Sequence, residues 1–252
     1  IAMSQAKKYD TNIICPILEK QGDTVYNSAV VIDRKGQVVG AYHKLHPVTT
    51  SFDFTVFESG VTPGRELKVF DLDFGRIGML ICFDIQWPKD WAKLGEMGAE
   101  IVFWSSAYDG GIPLQTRAWE NHYYVVSSVR THRARIIDIT GEILLMGGSR
   151  TPVLGMEIDL EKKYFHSDFN ASQIPAIKEK YGRDVIVKYY HDEGGITVES
   201  NNEKVTVPDL MKEFDLELVP DYIARHDKAE IFTREGKNPE PQEPRKTKAQ
   251  YV

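Results

Sequence analysis

The sequence predicts an α/β protein in which sheets carry helices on their outer faces. The first two-thirds of the chain is dense with short apolar runs bounded by Gly, Pro, Asn and Asp. Two stretches of helical length, Pro88 to Met97 and about Pro113 to Tyr123, fall between such runs. A chain of 252 residues, 42% hydrophobic and 27% charged, has room for one large α/β domain or two small ones.

The opening, Ile1 to Asp10, reads as the end of a helix, and the first residue is not Met. A chain whose beginning is missing is expected, and a leader could have been lost with it. Asn12 to Leu18 is an apolar strand, and Lys20-Gln21-Gly22-Asp23 makes a turn. Val25 to Asp33 and Val38 to Lys44 follow across Arg34-Lys35-Gly36-Gln37, which makes an antiparallel meander ending on a lysine. Residues 48–64 form a loop closed by Pro63-Gly64. Leu67 to Leu72 and Arg76 to Cys82 pair as a hairpin. Pro88 suits the first position of a helix that stops at Gly98. Glu100 to Ser106, the second helix and Tyr124 to Arg130 continue the alternation, and a hairpin from Ala134 to Met146 turns at Thr140-Gly141.

Beyond residue 150 the pattern weakens. Tyr164 to Lys180 mixes a loop with a short helix, Val185 to Ser200 holds two strands, and Pro208 to Phe214 and Val219 to His226 look helical. From Glu235 the composition shifts to Lys, Glu, Pro and Gln, as in a disordered tail. The expected organisation is a core over residues 1–160, incomplete at its start, then an extension over 161–234 and a disordered tail over 235–252. The extension is too polar for a second large core and reads as an arm for a partner subunit.

The formal net charge of −6 excludes a basic nucleic-acid surface. No apolar run approaches a membrane span. With only Cys15 and Cys82 there is no disulfide framework and no cysteine metal cage, and a cytoplasmic setting fits.

The run Ile81-Cys82-Phe83-Asp84-Ile85-Gln86-Trp87-Pro88 places Cys82 at a strand-to-helix corner. Proximity to a helix N-terminus favours the thiolate, the nucleophilic form of cysteine. Lys44 ends a neighbouring strand, so covalent attack on a carbonyl or nitrile is the chemistry suggested. A buried packing role for Cys82 is the plain alternative. Ser105, Ser106, Ala107 and Tyr108 end a strand of the same sheet and are candidates for the pocket mouth. Tyr108, Trp104 and Trp119 could equally be core. His43 and His46 have no third ligand at a fitting spacing, so no metal is expected. Arg117 and Glu120 are spaced as a helical ion pair, with Asn121 in reach.

Several segments fall in a telling order: Tyr26-Asn27-Ser28-Ala29, Tyr42-His43-Lys44-Leu45-His46, Phe57-Glu58 with Pro63-Gly64, and Gly75-Arg76-Ile77-Gly78 leading into Ile81-Cys82-Phe83-Asp84. Gly98-Ala99-Glu100-Ile101, Ser105-Ser106-Ala107 and Arg117-Ala118-Trp119-Glu120-Asn121 complete the set. Together they resemble the nitrilase superfamily, the carbon–nitrogen hydrolases.

The resemblance implies a four-layer α-β-β-α sandwich and a Glu-Lys-Cys site that needs no metal and no organic cofactor. It makes Cys82 the nucleophile, Lys44 the cation beside the oxyanion, and the Phe83 backbone N–H an oxyanion-hole donor. Glu58 matches a second glutamate that positions the lysine or orders water. Ser106, Ala107 and Tyr108 would contact substrate. A small linear amide or N-carbamoyl compound is the expected substrate, since nitrile-cleaving members usually carry Trp-Glu after the cysteine and this chain has Phe83-Asp84. A nitrilase and a non-catalytic interaction module stay open, and a homo-oligomer paired across a helical face is implied.

One departure stands out. The family's base glutamate precedes the lysine, and the only glutamate before Lys44 is Glu19. Read as part of a polar turn, Glu19 is not accepted as that base. The base is expected to lie outside this chain, which would leave the 252-residue piece inactive with one sheet edge uncovered.

Overall fold

The computed structural model describes residues 1–151 and 153–242. They form two compact units, with the boundary between Met156 and Glu157.

In the first unit α1 (Ala2–Tyr9) precedes the meander β1 (Ile13–Gln21), β2 (Thr24–Ile32) and β3 (Val38–His43), which pair antiparallel in that order. Pro16 is tolerated because β1 is an edge strand and no ladder bond needs its missing N–H. The second sheet takes β4 (Val69–Leu72), β5 (Gly75–Ile81), β6 (Ile101–Ser106), β7 (Tyr124–Val129), β8 (Arg135–Ile137) and β9 (Ile143–Met146) in sequence order. β5, β6 and β7 run parallel. Parallel neighbours need crossovers, and these are α2 (Pro88–Glu96) and α3 (Ile112–Asn121).

The two sheets face each other. Gly40 of β3 lies so close to the Phe70 ring of β4 that a Cβ there would stand 2.6 Å from it. Outside the larger sheet, Leu94 of α2 packs over Gly78, and the Tyr123 hydroxyl donates to the Trp91 carbonyl at 3.1 Å. α1 lies against β1 and β2. The layers are helix, sheet, sheet, helix: an α-β-β-α sandwich. Between the sheets, Ala29 and Val31 of β2 and Ile77 and Met79 of β5 are buried.

Several expectations change. Glu19 is not in a turn: β1 continues through it to Gln21, and Glu19 pairs with Tyr26. The chain reverses at Gly22, whose φ of +61° suits glycine, so the polar residues before it belong to an exposed edge strand. α2 starts at Pro88 as expected, and a 3₁₀ turn, Cys82–Gln86, precedes it, because the Asp84 side chain accepts the Ile81 N–H at 2.9 Å and tightens the corner.

The second unit holds β10 (Lys163–His166), the single irregular turn α4 (Ser167–Asn170), α5 (Ile174–Tyr181), β11 (Val185–Tyr190), β12 (Gly195–Ser200), α6 (Val207–Phe214) and α7 (Val219–Arg234). The sheet order is β10-β12-β11. Phe165, Ile174, Ile177, Ile196, Val198 and Leu210 are among the residues that make a small core of its own. The segment is polar on average, yet its few apolar residues fall on facing sides of strand and helix. α7 runs eight residues beyond the expected His226, to Arg234, and buries none of its side chains. Of the expected tail, residues 243–252 lie outside the described residues, while Gln242 donates to the Arg225 carbonyl of α7 at 2.8 Å. No described helix is long and apolar enough to cross a membrane.

The two sheets of the first unit are tied at one buried group. Asp84 is fully buried and accepts from the Tyr42 hydroxyl at 2.8 Å, the His46 N–H at 3.0 Å and the Ile81 N–H at 2.9 Å. Burial pushes its carboxyl above the ordinary value, against the pull of those donors. Asp84→Asn puts an NH₂ among donors and is expected to lower stability by about 2–3 kcal/mol in urea denaturation. The folded state of the wild type holds this proton to higher pH than the unfolded chain. Its contribution is therefore full below the ordinary carboxylate value and falls as pH rises through the raised one. The gap between the two urea midpoints should narrow over that window.

Candidate active site

Where parallel strands end together, their last residues form one rim. The register aligns Ile81 with Ser105 and Ser105 with Ser128, so Cys82, Ser106 and Val129 emerge side by side. Above them is a cavity of about 660 Å³. Cys82, Ser105, Ser106, Ala107, Ser128 and Arg130 line it from the larger sheet, Leu18, Asn27 and Lys44 from the meander, and Glu58 and Ser59 from the loop between β3 and β4.

Strand alternation explains the meander's share. Lys44 N–H donates to the Asn27 carbonyl at 2.8 Å, continuing the ladder one step beyond β3, and Leu18 pairs with Asn27. Leu18, Asn27 and Lys44 therefore point to one face, and Glu19 and His43 to the other. Gly64 N–H donates to the Lys44 carbonyl at 2.8 Å, and a Cβ on Gly64 would stand 2.2 Å from the His43 carbonyl. Only glycine lets the loop lie this close to the strand end.

The Lys44 side chain is 1% exposed, and an ammonium so buried needs a counter-charge. Its Nζ donates to Glu58 Oε1 at 2.6 Å, and Asn27 Nδ2 donates to the same oxygen at 3.2 Å.

Cys82 has φ +50°, in the left-handed region where a side chain costs about 1–2 kcal/mol. The surroundings impose it. The Trp104 indole N–H donates to the Cys82 carbonyl at 3.0 Å, and Asp84 holds the N–H of Ile81. Strain concentrated at a partly exposed thiol is typical of functional corners.

Of the residues singled out in the sequence, Cys82, Lys44, Glu58, Ser106 and Ala107 line this one cavity. Tyr108 packs edge-on against Trp104, with centroids 5.4 Å apart. Burial first, and the neighbouring Cys82 second, push its hydroxyl above the ordinary value, so it stays protonated at neutral pH. The Phe83 ring packs edge-on against Trp87 at 5.3 Å.

His43 and His46 turn to different carboxylates, Glu19 at 3.1 Å and Asp90 at 2.7 Å, and stack on Tyr26 and Trp87. Among the described residues no group of three His, Cys, Asp or Glu could hold a metal ion. Arg117 and Glu120 pair at 2.7 Å, with Asn121 donating to the Arg117 carbonyl at 2.8 Å.

Sequence reasoning passed over Asn27, Asp84 and Arg130. The first two lie inside motifs already singled out, and strand register alone turns Asn27 toward Lys44. No local signal marks Arg130.

A thiol at a strained corner and a buried lysine–glutamate pair thus share one cavity between the faces of an α-β-β-α sandwich. The family model described as carbon–nitrogen hydrolase matches residues 2–164, and the chain belongs to this family. It is similar to a β-ureidopropionase of Arabidopsis thaliana, 35% identical over 133 residues, 48% of this chain and 32% of that protein. It is also similar to a nitrilase of Pyrococcus abyssi, 30% identical over 168 residues, 64% of this chain and 60% of that protein. The chain thus spans about a third to three-fifths of the length of these two relatives. The fold matches the crystal structure of the Caenorhabditis elegans NitFhit protein with a TM-score of 0.57 and 23% identity, over 71% of this chain and 47% of that one.

Because φ at position 82 favours glycine, Cys82→Gly is expected to unfold at higher urea than Cys82→Ala, by up to about 1 kcal/mol. The reverse order would mean that the corner relaxes once the thiol is gone.

Proposed function

We propose that the site is a cysteine-dependent hydrolase of non-peptide C–N bonds, acting on a small linear amide or N-carbamoyl compound. The observation that carries this reading is the convergence of Cys82, Lys44 and Glu58 on one cavity. The Cys82 thiolate attacks the carbonyl carbon. The oxyanion that forms is met by the Lys44 ammonium and the Phe83 backbone N–H, donors fixed before the reaction starts. Collapse expels ammonia or an amine, which leaves with the proton first held by the thiol. Water then cleaves the thioester, releasing the acid or carbamate and restoring the thiol.

Glu58 holds Lys44 at the oxyanion position and orders the attacking water from its second oxygen. Ser106 and Ala107 bound the acyl portion, with Tyr108 beside them against Trp104. The ureido group named in one relative is an N-carbamoyl amine, which supports the carbamoyl branch, while the nitrilase relative keeps nitriles in the test panel.

Glu58 is the single carboxylate among the described residues lining the cavity, and it is engaged with Lys44. Glu19 lies on the opposite face of the meander and is held by His43. With no second carboxylate to move the thiol proton, this chain is expected to modify readily at Cys82 but turn over slowly. General-base assistance is worth about 10²–10⁴-fold.

The test is ammonia release from ω-amides, N-carbamoyl amino acids and nitriles, with Cys82→Ala and Lys44→Ala as controls. Release that vanishes with Cys82→Ala and falls at least about a hundredfold with Lys44→Ala supports the reading. Release from nitriles alone would move the site to the nitrilase class. A Cys82 no more reactive to alkylation than Cys15, with no release from any compound, would overturn it in favour of an interaction module.

A further inference from the structure

The second unit carries a cluster of rings that the cysteine chemistry does not use. α7 buries none of its side chains, and β10 is the strand it lies against. The contact runs through the first turns of the helix. The Tyr222 ring stacks on His166 of β10, with centroids 4.4 Å apart and planes 9° from parallel. His226, one turn along α7, leans on the same ring at 4.4 Å, and Phe169 of α4 stands 6.4 Å from it. The Tyr222 hydroxyl donates to Asp168 Oδ2 at 3.2 Å.

The His166 ring has a second task. The Asp168 backbone N–H donates to its Nδ1 at 3.0 Å and so caps the α4 turn. A backbone N–H can only donate, so Nδ1 carries a lone pair and the ring is neutral, with its proton on Nε2. Protonation would set two N–H groups against each other, and a ring that turns to escape the clash leaves the face of Tyr222. His226 is different: its Nδ1 lies 2.8 Å from the Tyr222 carbonyl and donates to it whether or not the ring is charged.

The surroundings keep His166 neutral. Burial holds the ring below the ordinary imidazole value, Asp168 pulls the other way, and His226 adds to the depression. From the β11–β12 turn, a Cβ on Gly194 would stand 3.9 Å from Nε2, and the adjacent Glu193 accepts the Tyr164 hydroxyl through its carbonyl at 3.5 Å. That hydroxyl, two residues back on β10, is pushed up to about 12 by burial and stays protonated. The other charged groups near the start of α7 are Asp221 and Arg225, and Arg225 pairs with Glu217 at 3.4 Å. A docked state that prefers the neutral ring has its full stability above the ordinary imidazole value and loses that contribution as pH falls through the lowered one.

The residues just before α7 are held separately. Leu218 bridges to Phe165, and the Asn170 side chain accepts the Glu217 N–H at 2.8 Å and donates to the Glu217 carbonyl at 3.1 Å. Release therefore begins after Leu218, where Pro220 lies in the first turn of the helix. We propose that His166 is an acid-operated latch: its neutral ring holds α7 on β10, and its protonation frees the helix. The proposal is independent of the cysteine site.

The test is hydrogen exchange of the full chain by mass spectrometry at about pH 7.5 and about pH 5.5, either side of the imidazole range, corrected for the intrinsic pH dependence of exchange. A freed helix of 16 residues is marginal in water, so α7 should lose protection about tenfold, as for loss of the cap bond, while α5 and α6 keep theirs. His166→Asn still offers an acceptor to the Asp168 N–H but does not titrate, and α7 should then be equally protected at both pH values. His226→Gln removes the opposing imidazole, and the loss should move to higher pH. An α7 equally protected at both pH values in the parent, or a loss that survives His166→Asn, overturns the latch. Loss of protection by α5, α6 and α7 together is unfolding of the whole unit and overturns it as well.

Discussion

A carboxylate buried between two sheets must find donors, and the donors that Asp84 finds decide where everything else stands. Two of them, the Tyr42 hydroxyl and the His46 N–H, belong to the end of the meander, and the third, the Ile81 N–H, belongs to the corner of the larger sheet. The residues between these anchors are Lys44 on one side and Cys82 on the other. The distance between the ammonium and the thiol is therefore set by a group that touches neither. A buried polar group satisfied from two elements fixes their register more sharply than apolar contact does, because each lost bond strands a donor. The left-handed backbone of Cys82 persists under the same constraint, with Trp104 holding the carbonyl on the far side.

Charge in the cavity is arranged by the same logic of pairing. Lys44 can be almost wholly buried because Glu58 accepts from it, and Asn27 steadies that glutamate. In the proposed mechanism the pair gives a fixed cation for a developing oxyanion without leaving a net charge between the two side chains. Arg130 sits at the exposed rim, where a guanidinium is comfortable without a partner because water solvates it.

Much of the fold was readable because local rules and tertiary context agreed. Strand alternation, Pro88 at a helix start and Gly98 beyond its end marked elements the structure contains. Glu19 was misread because a polar edge strand carries the same composition as a turn; the ladder with β2, not the side chains, makes it a strand. The small core of the second unit was not legible for a related reason. Average polarity hides a small core when a few residues such as Phe165, Ile177 and Val198 meet from distant positions.

The sequence by itself determined the chemical types available at the site. A cysteine at a strand end, a lysine at the end of a meander and a glutamate in the following loop are local features, legible in short motifs. Tertiary structure alone decided which of them meet. Side-chain direction in a strand flips with each residue, so whether Asn27 joins Lys44, or Glu19 turns away from it, depends on register with a neighbouring strand. Asp84 became the anchor, and Arg130 reached the cavity rim, only once strands far apart in sequence aligned their ends. No spacing within a single segment encodes that alignment.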